Sequence, residues 1–222
     1  MNKHEFSLAG AVLHALPTGA LHWPDAELLV VSDLHLGKSE RIAKRSGQML
    51  PPYEVIDTLT RLEDVIAATR PKTVLCLGDS FDDLDAASTL SQEHAHWFSH
   101  LQAGREWIWI EGNHDPGPTE LGGTHLRQFT QGPLIFRHIA EPTTPPGEVT
   151  GHYHPKARIS VRGRSISRPC FLLDRTRLIL PSFGTYTGGL ASHHDALCTL
   201  MEEDACAILT GQTPCAVPMP RS

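Results

Sequence analysis

The sequence predicts a mixed α/β fold, on three observations. Short apolar runs rich in β-branched residues recur along the chain and end at turn residues, which is typical of strands. In the first half, segments with apolar residues at helical spacing lie between these runs. The second half consists of strand-like runs and loops. We therefore predict one domain, residues 1–222, with βαβ units in its first half.

The predicted elements of the first half alternate between strand and helix. Val55, Leu59 and Leu62 recur at helical spacing in the first helix, while the second helix carries a weaker pattern. In chain order we predict strand 26–32, helix 53–69, strand 73–77, helix 91–101 and strand 107–110, followed by strands 133–137, 170–173 and 177–180.

Composition and charge restrict the class of protein. With 19 basic and 25 acidic residues the net charge is −6, so contact with nucleic acid requires a local basic patch or metal ions. The 14 histidines are a hint of metal or acid–base chemistry. The five cysteines are odd in number and irregularly spaced, which favours reduced thiols. Because no signal segment or membrane span is visible, we expect a cytoplasmic protein without membrane contact.

Two clusters of polar residues directly follow the first two predicted strands. Asp33 and His35 come after the first strand, and residues two apart in extended chain point the same way, so both can contact one metal. Asp79 follows the second strand after Gly78, which allows a sharp turn. Each cluster alone is also typical of an ordinary turn.

Two more clusters follow later strands. The third contains Asn113, a modest ligand for hard metals, and His114, which is available as an acid or base and has Asp115 beside it to orient it. In the fourth, His152 and His154 are two apart and can both point at one site.

A lone histidine completes the pattern. His138 follows a predicted strand, whereas the competing His125 has no apolar strand before it. The clusters together place two carboxylates, one amide and four imidazoles at strand ends, where sites of α/β proteins collect. This predicts a metal centre. Carboxylate, imidazole and amide ligands suit manganese or iron, with zinc as an alternative.

The ordered pattern Asp-x-His, Gly-Asp, Gly-Asn-His-Asp, lone His, Gly-His-x-His resembles that of the calcineurin-like metallophosphoesterases. The resemblance implies a two-layer β-sandwich flanked by helices, with a site for two divalent metal ions at its rim. It also implies the ligand assignment. One metal would be bound by Asp33, His35 and His154, the other by Asn113, His138 and His152, and Asp79 would bridge them.

A narrower resemblance is carried by DLHLGK from Asp33, GHYHP from Gly151, RPCF from Arg168 and LPSFGTYTGGL from Leu180. These segments resemble the bacterial ligase-associated metallophosphoesterases, also called ligase-associated DNA damage response endonucleases. That group implies manganese-dependent cleavage of DNA phosphodiesters in DNA repair. It also implies functional association with an ATP-dependent DNA ligase, a helicase and an exonuclease.

The chemistry expected of such a site is hydrolysis by two-metal activation of water and stabilisation of charge on the phosphate. His114 would protonate the leaving alkoxide or stabilise its charge, and Asp115 would hold the His114 ring. Phosphate contacts are expected from Lys38, Arg162 and Arg164, within two basic clusters that also contain Arg41, Lys44, Arg45, Lys156, Arg158, Arg168, Arg175 and Arg177. The same residues can equally be solvated basic faces.

Three functions remain compatible with this pattern. A DNA endonuclease is favoured. A phosphomonoesterase or a small-molecule or cyclic-nucleotide phosphodiesterase would use the same metal core, because substrate choice depends on the shape of the pocket. A non-catalytic scaffold with a decayed metal site is the third, and the intact set of ligands from Asp33 to His154 argues against it.

Overall fold

The computed structural model describes residues 2–38, 53–82, 90–117, 121–161 and 163–221. Its first sheet has seven strands that lie side by side in chain order. The first four run antiparallel to their neighbours, and the last four are parallel. They are β1 (His4–Leu8), β2 (Ala11–Ala15), β3 (Leu21–Trp23), β4 (Leu28–Val31), β5 (Thr73–Leu77), β6 (Glu106–Ile110) and β7 (Thr124–Leu126).

The second sheet contains the remaining strands of the described chain. Its strands are β8 (Gln128–Gln131), β9 (Leu134–Arg137), β10 (Glu148–Thr150), β11 (Lys156–Val161), β12 (Arg164–Leu173), β13 (Arg177–Ile179), β14 (Cys206–Leu209) and β15 (Cys215–Pro218). They lie in the order β15-β14-β12-β13-β10-β9-β8, and β11 forms a hairpin with the outer part of β12. Strands β9, β10 and β13 are parallel.

Three α-helices are described: α1 (Glu54–Thr69), α2 (Gln92–Gln102) and α3 (Asp195–Leu200). The first two confirm the helices predicted between strands, since both begin and end within one residue of the predicted bounds. The third shows that the second half does not consist of strands and loops alone. Among the described residues, no helix combines the length and apolar character that crossing a membrane requires.

The central strands of the first sheet are apolar on both faces because both faces are buried. Leu28 and Val30 of β4 pack against the second sheet, in a core that also contains Phe136 and Phe171. Leu29 and Val31 point the other way and pack against the apolar sides of α1 and α2. Residues of β5 and β6 alternate in the same manner, so one run of apolar residues serves two cores.

The outer face of the second sheet has its own core. Leu172 and Ile179 pack there against Leu197 of α3 and Met201. The layers are therefore helices, sheet, sheet and one short helix. This confirms the predicted two-layer β-sandwich flanked by helices.

The parallel strands determine where polar residues can meet. Because β4, β5 and β6 run the same way, the segments that follow them start from one edge of the sheet. The segments that follow β9, β10 and β13 likewise start from one edge of the second sheet. These two edges are adjacent, since the backbone N–H of His152 donates to the Asp33 carboxylate at 3.0 Å.

Candidate metal centre

The loops that follow β4 and β5 are joined by backbone hydrogen bonds. The N–H of Asp33 donates to the Gly78 carbonyl at 3.2 Å, and that of His35 donates to the Asp79 carbonyl at 3.0 Å. The two loops thus extend the parallel pairing of their strands, with a further bridge between Leu36 and Phe81. The predicted ligands on the two loops are held side by side.

A first group of ligand atoms comes from Asp33, His35 and His154, which lie close enough to hold a metal ion. Asp33 is fully buried, and its Oδ1 lies 2.9 Å from His154 Nε2. The ring of His35 packs edge-on against the His154 ring, with 5.2 Å between centroids. Ser32, which sequence analysis did not single out, donates from Oγ to Asp33 Oδ2 at 2.5 Å. The sequence feature that could have pointed to Ser32 is its position directly before Asp33.

A second group comes from Asp79, His138 and His152. His138 Nε2 lies 3.2 Å from Asp79 Oδ2 and 3.3 Å from His152 Nδ1. Asn113 joins the group, because its Oδ1 is 3.1 Å from the same nitrogen of His138. The structure therefore brings all seven predicted ligands into two adjacent groups.

His138 rather than His125 belongs to this site. His138 Nδ1 lies 3.1 Å from the Leu77 carbonyl and donates to it, which leaves Nε2 facing the other ligand atoms. His125 is in β7, where its ring stacks on Trp109 at 6.2 Å between centroids. Of the two histidines, His138 is therefore the one that lies among the other candidate ligands.

The backbone at five of the seven candidate ligands is left-handed, not extended. Asp33, His35, Asp79, His152 and His154 all have φ between 45° and 69°. The sequence prediction assumes extended chain, in which side chains two residues apart point the same way. That assumption is wrong, because these residues have left-handed backbone. Asp33 and His35 do join one group, but His152 and His154 join different groups. Non-glycine residues in this region each cost about 1–3 kcal/mol, strain that is typical of functional sites.

Asp115 does not hold the His114 ring, contrary to the prediction. Its Oδ2 accepts the backbone N–H groups of Ser80 and Phe81 at 2.8 and 3.1 Å, and its Oδ1 accepts that of Gly112 at 3.1 Å. The carboxylate thus ties the loop after β6 to the loop after β5. The ring of His114 is held instead by the Asp82 carbonyl, 3.0 Å from Nδ1.

The charges within the centre shift several pKa values. Burial opposes ionisation of Asp79, yet the hydrogen bond from His138 and its positive charge hold the carboxyl pKa below its ordinary value. Burial likewise opposes the charged form of His138, but the carboxylates of Asp79 and Asp33 raise its pKa to about 8. Burial raises the pKa of Asp115 to about 6, with the Asp79 charge adding to it. The centre therefore favours cations beside Asp33 and Asp79.

The donor set fits divalent cations. Within the described chain, Asp33 Oδ1, both ring nitrogens of His35 and His154 Nε2 are buried without a well-directed hydrogen bond. Asp33 Oδ1 and His154 Nε2 face each other at 2.9 Å, and His35 Nδ1 lies 3.3 Å from Asp82 Oδ1. Buried polar atoms without good hydrogen bonds cost about 1–3 kcal/mol each, so their concentration in one site requires a reason. Carboxylate oxygens and imidazole nitrogens that converge in this way are suited to binding a cation. The residues present therefore fit the metal ions that the sequence predicts.

Glycines let the ligand loops approach one another. A Cβ added at Gly112 would lie 2.2 Å from the Asp79 backbone nitrogen and 2.5 Å from Asp115 Oδ1. One added at Gly151 would lie 1.9 Å from Ser32 Oγ. The glycines before Asn113 and His152 are thus needed because the neighbouring loop occupies the space of a side chain.

We expect Gly112→Ala to destabilise the protein by about 2–3 kcal/mol, because backbone must move to admit the methyl group. Thermal or denaturant unfolding in the presence of a chelator measures this change apart from metal binding. The matched control is Gly188→Ala, since a Cβ at Gly188 meets nothing within 4 Å and neither glycine has a left-handed φ. Equal stability of the two variants would contradict the close packing of the loops.

The residues expected to contact nucleic acid lie in different environments. Lys38 is half-buried and Arg164 is exposed, whereas Arg162 lies outside the described residues, as do Arg41, Lys44 and Arg45. Arg158 and Arg164 lie on opposite faces of the β11–β12 hairpin by its register. Arg158 and Arg164 therefore do not belong to one phosphate-binding surface.

Two further arginines of that cluster pair with acidic residues. Arg177 is buried, and its Nη1 lies 3.2 Å from Glu148 Oε2, so its assignment to a phosphate-binding surface is wrong. A buried guanidinium of this kind balances a buried carboxylate in the second sheet. Arg175 is exposed but pairs with Glu202 at 2.7 Å.

A cavity of about 350 Å³ borders the second ligand group. Its wall includes Asn113 and His138 themselves, and the exposed Ile139. The two arginines that line it are paired with carboxylates: Arg127 lies 3.4 Å from Glu111, and Arg137 lies 3.0 Å from Glu141. A substrate bound here would contact the metal ligands directly.

The comparisons with known proteins agree with the geometry of the two ligand groups. The model of the calcineurin-like phosphoesterase family matches residues 26–161, more than half of the chain. Among solved structures, a nuclease, MPE, from Pseudomonas putida is 25% identical with a TM-score of 0.76, covering 96% of this chain and 100% of the nuclease chain. The relationship to a nuclease agrees with the narrower resemblance found in the sequence.

Other comparisons add little. YfcE, a phosphoesterase from E. coli, is 12% identical with a TM-score of 0.41, over 87% of this chain and 99% of its own, which is too distant to support an argument. No curated protein matches the sequence. The family model and the ordered ligand loops nevertheless agree, and the chain belongs to the calcineurin-like phosphoesterase family, whose members are hydrolases of phosphoester bonds.

Proposed function

We propose that this protein is a manganese-dependent DNA endonuclease with a two-metal centre, acting in DNA repair. The observation that carries the proposal is the pair of adjacent ligand groups in a chain that resembles a nuclease over nearly its full length. The DNA substrate is favoured by that resemblance and by the segments shared with the ligase-associated endonucleases. Functional association with a DNA ligase, a helicase and an exonuclease is part of the same proposal and rests on those segments.

The metal-binding residues would divide as their positions suggest. Asp33, His35 and His154 would hold one ion. Asn113, His138 and His152 would hold the other. Asp79, which lies in the second group, would bridge the two ions, as the resemblance to the calcineurin-like metallophosphoesterases implies. Bound divalent cations would supply Lewis-acid stabilisation of the phosphate and activation of water at neutral pH. Oxygen and nitrogen ligands without thiolate suit manganese, and iron and zinc are the alternatives.

The proposed general acid is His114. Its backbone N–H donates to Asp79 Oδ1 at 2.9 Å, and its ring packs edge-on against His35 at 5.3 Å between centroids. Because Nδ1 donates to the Asp82 carbonyl, Nε2 is the nitrogen that would face the substrate, and the ring with both nitrogens protonated would give the Nε2 proton to the leaving oxygen. Asp115 acts indirectly, by fixing the loop that carries both Asn113 and His114.

Cleavage of closed circular plasmid DNA by purified protein with added manganese tests the substrate. Nitrophenyl phosphate and bis(nitrophenyl) phosphate are assayed in parallel, with zinc and iron as alternative metals. Cutting of the plasmid that depends on the metal is expected. Hydrolysis of the small esters with intact plasmid would instead favour a phosphatase or a small-molecule phosphodiesterase. Inactivity on every substrate with every metal would support a scaffold.

A further inference from the structure

A second cavity, of about 540 Å³, has three positively charged side chains in its wall and none of the seven candidate metal ligands. Its cations come from three separate elements: Arg61 from α1, Lys156 from β11 and Arg168 from β12. None of the described residues that line it is acidic. We call it the basic cavity, and its remaining walls include Ser182, Thr187 and Gly211.

The position of Arg61 is fixed before any ligand binds. Its Nε lies 3.1 Å from Asp57 Oδ2, its Nη2 donates to Thr185 Oγ1 at 2.8 Å, and its guanidinium carbon lies 4.9 Å from the centre of the Phe183 ring. These contacts use two of the five N–H groups of an arginine. Asp57 offsets part of the charge but does not line the cavity, so N–H donors remain for an anion.

The other two cations are placed differently. Lys156 is half-buried, and its Nζ donates to the Thr187 carbonyl at 3.4 Å, which leaves two of its protons for another partner. Arg168 is exposed at the mouth, near Gly211. Although the net charge of the protein is −6, three cations line the basic cavity. They provide a local attraction for anions that the overall charge does not provide.

One loop joins this cavity to the metal centre. Residues 181–187, which follow β13, form part of its wall. Within the loop, the N–H of Phe183 donates to the Ser32 carbonyl at 2.7 Å, and that of Gly184 donates to the Asp33 carbonyl at 3.1 Å. Lys156 also follows the ligand His154 closely in the chain. The wall of the basic cavity is therefore connected directly to the backbone of the segment that carries Asp33.

The two cavities differ in charge. Beside Asn113 and His138 each arginine is paired with a carboxylate, whereas the basic cavity contains cations without lining carboxylates. Hydroxyl groups of Ser182 and Thr187 add neutral donors on the basic side. A phosphodiester strand has charges at regular spacing on both sides of the bond to be cut, so the neighbouring phosphate favours the basic side.

We infer that the basic cavity binds the backbone phosphate next to the scissile one, so that the strand passes from the metal centre over Gly184 towards Lys156 and Arg168. This inference rests on the proposed function, since it requires a polynucleotide substrate. It assigns to Arg61, Lys156 and Arg168 a positioning role for long substrates, which a small ester would not use.

The test compares the double variant Lys156→Gln/Arg168→Gln with wild type on two substrates. Cleavage of a single-stranded oligodeoxynucleotide should lose at least about tenfold more in kcat/KM than hydrolysis of bis(nitrophenyl) phosphate, mainly through KM, because two phosphate contacts are removed. Binding of a fluorescein-labelled oligodeoxynucleotide is measured by anisotropy, in chelator and over a range of salt. The slope of log Kd against log salt should fall in magnitude by about 1.4, at about 0.7 for each contact.

The matched control removes two positive charges at the opposite edge of the first sheet. Arg70 and Lys72 lie between α1 and β5, before the strand rather than after it, and Arg70→Gln/Lys72→Gln should match wild type in both assays. Equal DNA binding and cleavage by the basic-cavity variant and wild type would overturn this inference and leave the proposed function intact. Equal losses on DNA and on the small ester would also overturn it. Wild type that hydrolyses the ester but neither binds nor cuts DNA would refute the proposed function itself.

Discussion

Asp79→Asn should lose more than about 100-fold of the metal-dependent phosphodiesterase activity. Replacing residues that merely contact metal ligands typically costs about 10- to 100-fold, so loss of a direct, bridging ligand should cost more. Asparagine keeps the shape of the aspartate side chain. Its amide oxygen can still accept the backbone N–H of His114, which in wild type lies 2.9 Å from Asp79 Oδ1. It removes the negative charge that lies 3.2 Å from His138 Nε2, and with it the proposed bridging ligand. Steady-state kinetics on bis(nitrophenyl) phosphate with saturating manganese measures the loss.

The control for this variant is Asp64→Asn, which removes the same charge from an exposed position on α1. It should keep wild-type kinetics. Unfolding of both variants in chelator shows whether the Asp79 substitution also disturbs folding. If Asp79→Asn folds and retains activity within about tenfold of wild type, Asp79 is not a bridging ligand.

The loss of activity in His114→Ala should depend on the leaving group of the substrate. A DNA diester releases an alkoxide, which needs a proton, so we expect a loss of about 10²- to 10⁴-fold in kcat. Nitrophenolate is a much better leaving group, so bis(nitrophenyl) phosphate should be far less affected. The comparison is made by single-turnover cleavage of DNA and steady-state hydrolysis of the ester, at the same pH and metal concentration.

His100→Ala, an exposed histidine on α2, is the matched control and should be unaffected on both substrates. Wild-type rates of DNA cleavage by His114→Ala would rule out its role as the general acid. Equal losses on both substrates would indicate that His114 supports the metal centre, through its contacts with Asp79 and Asp82, instead of donating a proton.

Some parts of the fold are predictable because local pattern and tertiary environment agree. Strand β5 was predicted at its observed bounds, since its apolar run is buried on both faces. The hairpins of β1 and β2 were not predicted, because the partly exposed HEFSL of β1 reads as polar chain. Strand β10 is three residues long and includes Glu148, whose burial depends on Arg177, far away in sequence. Single-sequence patterns do not reveal such compensation.

The proximity of the candidate ligands was predictable because each short motif follows a strand, and parallel strands bring their ends together. The remainder depends on contacts between loops. Nothing in the sequence indicates that Asp115 accepts N–H groups from Ser80 and Phe81, although it is adjacent to His114. Arg61 lies in α1, which the sequence predicts from the spacing of its apolar residues. The charge of Arg61 reaches the basic cavity because α1 packs against Phe183, a contact that the sequence does not reveal.

The most direct test of the two-metal centre is the number of divalent ions bound per chain. Purified protein is stripped with chelator, reconstituted with manganese, passed through a desalting column and analysed by inductively coupled plasma mass spectrometry. The arrangement of the two ligand groups predicts two ions per chain in wild type and fewer in Asp79→Asn. One ion or none in an active wild-type protein would contradict the two-metal account.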